Sequence, residues 1–506
     1  MLLNLIDLSG KPKSTFLDKT HIQIKLKLLI VKFEFMESIR KIFLIIIFSL
    51  IITGLNFIDR SVYGTESDGG WKAGMAKVEI TPSEPMWMSG YASRDHACGE
   101  TMHSLWAKAL AIEDAAGSRA VLVTMDLAFL TRAIADRVKN RINGKYGLDA
   151  SQVILSWSHT HSGPVVRDPV FYDVLNLNES EIEKVERYTA NLEDQLVEVA
   201  GKALNSVVPV NLYTGTGVAR FAVNRRVNGS RTTVNDLTGE LKGPVDHSVP
   251  VIKVEKLDGE LMGIVFGYAC HSTTLGLYQW SGDYPGFAQI ELENEFPGAT
   301  AMFFAGTGAD QNPLPRGNVS YARQYGKELA AAVEAVVSEP MKELSPELST
   351  AWSKVDLGYA NPVPTEKDLV KMIEERSVPD YLLYKAKVYL QQLRQGKTLP
   401  QSYAYPVQFW RIGEQNMVIL GSEVVVDYAV RLKQIFGKDL FVMAYANEVI
   451  GYIPSTRVLS EGDYEGTRSY IFTTPWAPDI EMKIIMEALK VAGQAGAKPQ
   501  IVAKSE

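Results

Sequence analysis

Residues 153–164 read Val-Ile-Leu-Ser-Trp-Ser-His-Thr-His-Ser-Gly-Pro. A short apolar run breaks into a polar turn closed by Gly163 and Pro164, the pattern of a buried strand and the loop that leaves it. The same alternation recurs along the chain. Strands are predicted over 120–125, 249–254, 261–268, 300–304, 417–420 and 440–444, and longer amphipathic stretches predict helices over 130–143, 179–206, 321–337, 369–395, 424–436 and 480–491. Strands interleaved with helices predict an α/β fold: a mixed, largely parallel sheet flanked by helices. Leu257-Asp258-Gly259-Glu260, between two strand runs, predicts a hairpin. The Pro-containing stretch 338–346 predicts a seam between two subregions.

Ligands of open α/β sheets bind beyond the carboxyl ends of the strands, so the residues that follow each strand test for a site. The strand at 153–157 leads into His159 and His161, and that at 261–268 into Cys270 and His271. Beyond 300–304 come Asp310, Gln311 and Asn312; beyond 417–420, Glu423; beyond 440–444, Tyr445, Asn447 and Glu448, with Tyr452 a few residues on. This convergence predicts one metal site at the carboxyl ends of the strands. A His-x-His pair on an extended segment puts both imidazoles on one face. The two cysteines, Cys98 and Cys270, exclude a disulfide scaffold and a cysteine-rich zinc module, leaving a His/Glu zinc centre with an open position. The alternative is that His159 and His161 are loop histidines bonded to nearby backbone and His271 a satisfied core residue.

The chain of 506 residues is 46% hydrophobic and 22% charged, the balance of a folded protein. A net charge of -7 offers no basic field for a phosphate backbone, so nucleic acid is excluded as a partner, and no obligate protein partner is evident. Residues 1–35 are expected to be an upstream extension. Residues 36–65, with Arg40 and Lys41 ahead of an apolar run over 42–58, predict a signal peptide or an N-terminal anchor. The apolar core is shorter than the roughly 20 residues of a spanning helix, which favours the cleaved signal. The body, 66–506, is therefore expected to be secreted or periplasmic, with peripheral membrane association open.

The segments VILSWSHTHSGP, FAVNRR, FGYACHSTTLG, SGDYPG, GADQNP, LGSEVV and ANEVIGYIPSTRVLSEGDYEG resemble, in order, the neutral/alkaline (non-lysosomal) ceramidase family. The resemblance runs over about 71–468 and implies a zinc ion held by His159, His271, Glu423 and Tyr452. It further implies that His161 and Arg225 orient substrate or handle protons, and that Tyr464 points at the amide. The implied reaction is hydrolysis of the N-acyl bond of ceramide or a related N-acylated lipid. Asn312 stands where the family has a serine beside the zinc; its amide can bond a substrate carbonyl or amide, and it is counted with the catalytic candidates. Val449 replaces the first tyrosine of the family's Asn-x-Tyr-x-x-Tyr segment, and the family's C-terminal immunoglobulin-like domain is not expected after the helix at 480–491. A zinc hydrolase of another acyl or sugar-linked substrate, or a non-catalytic binding protein on the same scaffold, remains the alternative.

Overall fold

In the computed structural model, which describes residues 70–167, 177–229, 240–376, 380–467 and 475–500, eight strands form the larger sheet. They are β1 (Trp71–Glu79), β2 (Trp106–Glu113), β3 (Arg119–Met125), β4 (Val153–Trp157), β5 (Val208–Val218), β6 (Ser248–Lys256), β7 (Leu261–Tyr268) and β8 (Thr300–Ala305). Their order is β8-β7-β6-β5-β1-β2-β3-β4, and the short strand Lys342–Glu343 adds beside β5. A second sheet takes the order β9 (Leu348–Gly358), β10 (Ser402–Ile412), β11 (Gln415–Leu420), β12 (Phe441–Met443). The hairpin expected at 257–260 joins β6 to β7. The predicted seam is the passage from the first sheet to the second, within one compact unit, Gly69–Glu506. The expected leader segments, 1–35 and 36–65, lie outside the described residues.

The mixed α/β class is present, with helices flanking the sheet, but parallel pairing is the minority. In the larger sheet only β3–β4 and β7–β8 run parallel; the other neighbours are antiparallel. The physical reason lies in the burial of both faces. On β2, Ala107, Ala109 and Ala111 face the helices while Leu110 and Ile112 face the second sheet; on β3, Val121 and Val123 face the helices while Ala120 and Leu122 face the second sheet. Strands buried on both sides read as continuous apolar runs whichever way their neighbours run, and continuity is what suggests a parallel sheet. Here a helix layer covers one face, and a sheet carrying Trp410, Ile412, Met417 and Ile419 covers the other.

Helices α1 (Arg132–Tyr146) and α2 (Glu179–Asn205) begin at side-chain caps, Thr131 and Asn178. Helix α3 (Asp283–Glu295), not expected from the sequence, carries Pro285 in its first turn, where a missing N–H breaks no helical bond. Helix α4 (Val319–Ser338) packs against it. The single helix expected over 369–395 is two, α5 (Glu366–Glu375) and α6 (Asp380–Arg394). Pro379 lies between them, and a proline bars the preceding residue from continuing a helix. Helices α7 (Asp427–Phe436) and α8 (Ile480–Gln494) complete the longer set. Among the described residues no helix is long and apolar enough to cross a membrane.

One crossing sets up the site. The chain leaving β12 donates Ala444 N–H to Ala305 O at the end of β8 (2.9 Å). A few residues on, Asn447 donates to Leu155 O of β4 (2.7 Å) and Tyr445 O accepts from Trp157 N–H (3.2 Å). The two edge strands of the larger sheet are thus bridged by one segment, and their carboxyl ends open toward a common space.

Candidate active site

His159 sits two residues beyond β4 with φ 59°, in the left-handed region that a β-carbon disfavours. Ser422, Tyr445 and Asn447 are also left-handed, at φ 70°, 51° and 63°. Such strain clusters where surrounding structure holds a functional geometry. The Nδ1–H of His159 donates to Ala128 O (2.6 Å), and that of His271 to Gly308 O (2.7 Å). Each ring is therefore locked with its Nε2 lone pair facing inward, the second bond that metal-ligating histidines make.

The two lone pairs meet a third. Glu423 Oε2 lies 3.4 Å from His159 Nε2 and 3.3 Å from His271 Nε2, and neither His271 Nε2 nor Glu423 Oε2 forms a hydrogen bond among the described residues. Two acceptor nitrogens at 3.3 to 3.4 Å from a carboxylate oxygen repel it unless a cation lies between them. Ligands at about 2.0 to 2.1 Å around a tetrahedral ion stand about that far apart. The donor set therefore fits zinc. Burial alone would raise the Glu423 carboxyl, but His159 and His271 beside it hold it well below the usual carboxylate range. Burial, and then Arg225, push His271 down to about 4, so its imidazole is neutral and available as a ligand.

His161 completes the group of three histidines whose ligand atoms lie within 4.8 Å of one another. Its Nε2 is 3.2 Å from His159 Nε2, at the edge of the His159–His271–Glu423 cluster. Burial, with His159 and His271 next, depresses its pKa well below the usual histidine value. A loop far upstream holds it: Tyr91 packs edge-on against the ring (4.7 Å), and Arg94 donates to His161 O (3.1 Å).

Tyr452 pairs in parallel register with Glu423, which brings the fourth expected ligand beside the third. Its hydroxyl accepts from Arg225 Nη2 (3.2 Å), and its carbonyl from Trp476 Nε1 (2.9 Å). Arg225 follows the short strand Ala222–Asn224, which pairs with Gln311–Pro313 and so aligns Arg225 with Asn312, whose Oδ1 accepts from Arg225 Nη1 (3.3 Å). Tyr464, half exposed, lies edge-on to Tyr452 at 5.3 Å, and the Arg225 guanidinium is 5.8 Å from each tyrosine ring. His159, His161, His271 and Glu423 thus form one cluster, continued through Tyr452 to Arg225, Asn312 and Tyr464.

Two further residues shape the cluster, Tyr445, which the strand-end reading includes, and Gly90, which it does not. Tyr445 is wholly buried with its ring 4.6 Å from His159, and its hydroxyl has no hydrogen-bond partner among the described residues. Gly90, at φ 97°, lies so close to His161 that a Cβ there would stand 2.4 Å from the ring's Cγ. A period-two or 3.6 pattern carries no mark of Gly90, which is visible only as a glycine in a loop. Both cysteines are buried free thiols.

A helix-backed two-sheet body brings two histidines and a glutamate together at the strand ends, a donor set that could hold a metal ion. A family profile described as neutral/alkaline non-lysosomal ceramidase, N-terminal, matches residues 71–356, more than half of the chain. The chain belongs to the neutral/alkaline ceramidase family. The neutral ceramidase of Pseudomonas aeruginosa is 26% identical over 335 residues, 63% of this chain and 48% of that protein. Neutral ceramidase A of Dictyostelium discoideum is 27% identical over 52% of this chain and 38% of its own length. The chain thus aligns with less than half the length of these relatives. The crystal structure of the Pseudomonas aeruginosa enzyme superposes with a TM-score of 0.65 at 22% identity, over 87% of this chain and 77% of that one, and so shares the fold.

Proposed function

We propose that this chain is a zinc-dependent amidohydrolase that cleaves the N-acyl bond of ceramide or a related N-acylated lipid. The observation that carries the reading is the convergence of His159 Nε2 and His271 Nε2 on Glu423 Oε2 at 3.4 and 3.3 Å, with both imidazole lone pairs turned inward by their Nδ1–H bonds. His159, His271, Glu423 and Tyr452 would hold the ion. A zinc ion there supplies Lewis acidity and a water acidified toward about pH 7.

The remaining work belongs to side chains. Hydrolysis forms a C–O bond from water, breaks the C–N bond and moves the water's proton to the departing amine. His161, neutral and beside the ligand cluster, takes that proton and hands it on. Arg225 stabilises negative charge developing on the acyl oxygen: burial opposes its charge, but Tyr452 and Glu465 hold its pKa above the usual arginine value. Tyr464, half exposed above Tyr452, faces the substrate side. The body acts outside the cytoplasmic membrane, delivered by the basic-apolar leader at 36–58, and meets a lipid substrate rather than a nucleic acid.

The test is metal analysis of the purified protein with a panel of N-acyl and O-acyl substrates, with and without a chelator. About one zinc per chain and chelator-sensitive N-acyl turnover are expected. Turnover of O-acyl substrates alone moves the bond to an ester, and stoichiometric zinc with no turnover on either class makes the protein a binding scaffold.

A further inference from the structure

Glu465 is a carboxylate almost wholly withdrawn from water, in the short helix Asp463–Thr467, and its place in the site has no counterpart among the residues the sequence singles out. Its Oε1 accepts from Arg225 Nε (2.7 Å) and its Oε2 from Arg226 Nη1 (2.6 Å). Arg226 is in turn held by Glu461 (3.0 Å) and by Gly462 O (3.1 Å), so Glu465 is a fixed point and not a floating partner. Burial raises its pKa, but Arg225 above all keeps the carboxyl below its usual value.

With Nε taken by Glu465, the planar guanidinium of Arg225 has no rotational freedom left. Its remaining ends face Asn312 Oδ1 at 3.3 Å and Tyr452 Oη at 3.2 Å. Arginine donates and never accepts, so the oxygen of the Asn312 amide must face Arg225 and the nitrogen must face the other way. That nitrogen, Nδ2, is wholly buried and has no hydrogen-bond partner among the described residues. The neighbouring Gln311 spends its own amide on Ala269 O (2.6 Å), on the opposite side of the short strand. A buried N–H without an acceptor costs about 1 to 3 kcal/mol, so a ligand that brings an acceptor to it is favoured.

We propose that Glu465 is a positioning residue: through Arg225 it turns the Asn312 amide so that Nδ2–H is an obligate donor, and this donor takes the acyl oxygen of the N-acyl substrate. The proposal rests on the amidohydrolase reading. Asn312 then discriminates by acceptor strength, favouring an oxygen that gains negative charge as the C–N bond breaks.

The experiment compares an N-acyl substrate with its thioxo analogue, whose C=S is a poor hydrogen-bond acceptor, for wild type, Asn312→Asp, Asn312→Ala, Glu465→Gln and Glu465→Gln/Asn312→Ala. Zinc content and thermal unfolding are measured on each. Wild type is expected to prefer the oxo substrate in kcat. Asn312→Ala is expected to lower oxo kcat by about 100-fold, the scale of one lost oxyanion donor, and to shrink the oxo/thioxo ratio at least about tenfold with zinc retained. Asn312→Asp, which keeps the volume and the Arg225 contact, loses the ratio likewise and covers the case in which the alanine variant does not fold. Glu465→Gln shrinks the ratio, and adds nothing further in the double variant. A ratio unchanged in Glu465→Gln, or effects of the two changes that multiply, overturns the relay while the amidohydrolase reading stands. No wild-type turnover of the oxo substrate overturns that reading, and the relay with it.

Discussion

His159 and His161 are two residues apart, yet their hydrogen bonds give them different work. His159 has committed Nδ1–H to Ala128 O and turns Nε2 inward; His161 leaves Nδ1 buried without a partner and is held by its backbone carbonyl and by Tyr91. His159→Ala is therefore expected to lose zinc and activity together, measured by metal analysis and kcat. His161→Ala is expected to keep about one zinc and lose about 100- to 10,000-fold in kcat, the worth of a general acid-base. Loss of zinc from His161→Ala would make it a ligand instead. Gly90→Ala gives a second residue-scale prediction. A Cβ 2.4 Å from His161 Cγ, on backbone at φ 97°, must displace the ring. We expect kcat to fall at least about tenfold with zinc retained, and unchanged kcat would show that His161 is not held from that side. The strand-end residues were legible because each sits one short turn past a recognisable strand. Gly90 was not, because its meaning depends on which distant ring it touches.

The segment from Phe441 to Ile453 carries more of the fold than its length suggests. It ends the second sheet, bridges the two edge strands of the first, and delivers Tyr452 beside Glu423. Glu448 anchors it: the carboxylate is buried, pairs with Arg132 at the start of α1, and accepts from Tyr403 Oη (2.6 Å), while Arg132 donates to Ala404 O (2.6 Å) and stacks on the Tyr403 ring (4.2 Å). Removing one partner of such a pair strands the other. Glu448→Ala is expected to cost roughly 3 to 5 kcal/mol in urea unfolding, and a loss under about 1 kcal/mol would show that Arg132 finds water instead. At this scale the sequence was informative about which segments are strands or helices and misleading about how they pair. Apolar continuity reports burial, and β2 and β3 are buried on both faces by different layers. The 369–395 pattern kept its helical period across Pro379, so periodicity alone could not divide α5 from α6.

Across the whole molecule, the site imposes a cost that pH can read. Asp310 is fully buried, with Oδ1 accepting from Val426 N–H (2.9 Å) and Oδ2 from Asn224 Nδ2 (3.0 Å), and it ties the loop after β8 to the start of α7 and to the strand that carries Arg225. Burial raises its pKa to about 6 from the ordinary 3.8; Val426 N–H and Arg225 pull it down, and Asp427 and Glu465 push it up. With the native value above the unfolded one, the folded state holds a proton that the unfolded state has released between these pH values. Asp310 therefore contributes its full stabilisation below about pH 4 and loses it as pH rises through about 6, a change of roughly 3 kcal/mol at 1.36 kcal/mol per unit. Other carboxylates, Glu423 among them, titrate with the opposite sign, so the Asp310 contribution appears only as a difference. Urea unfolding of wild type and Asp310→Asn at pH 4, 5, 6 and 7 isolates it. The variant is expected to gain on wild type as pH rises across that window, and parallel stability profiles would show that Asp310 stays ionised throughout. A gain at pH 7 accompanied by a fall in kcat would locate the compromise physically: the carboxylate that weakens the fold at neutral pH also holds the strand from which Arg225 reaches the site.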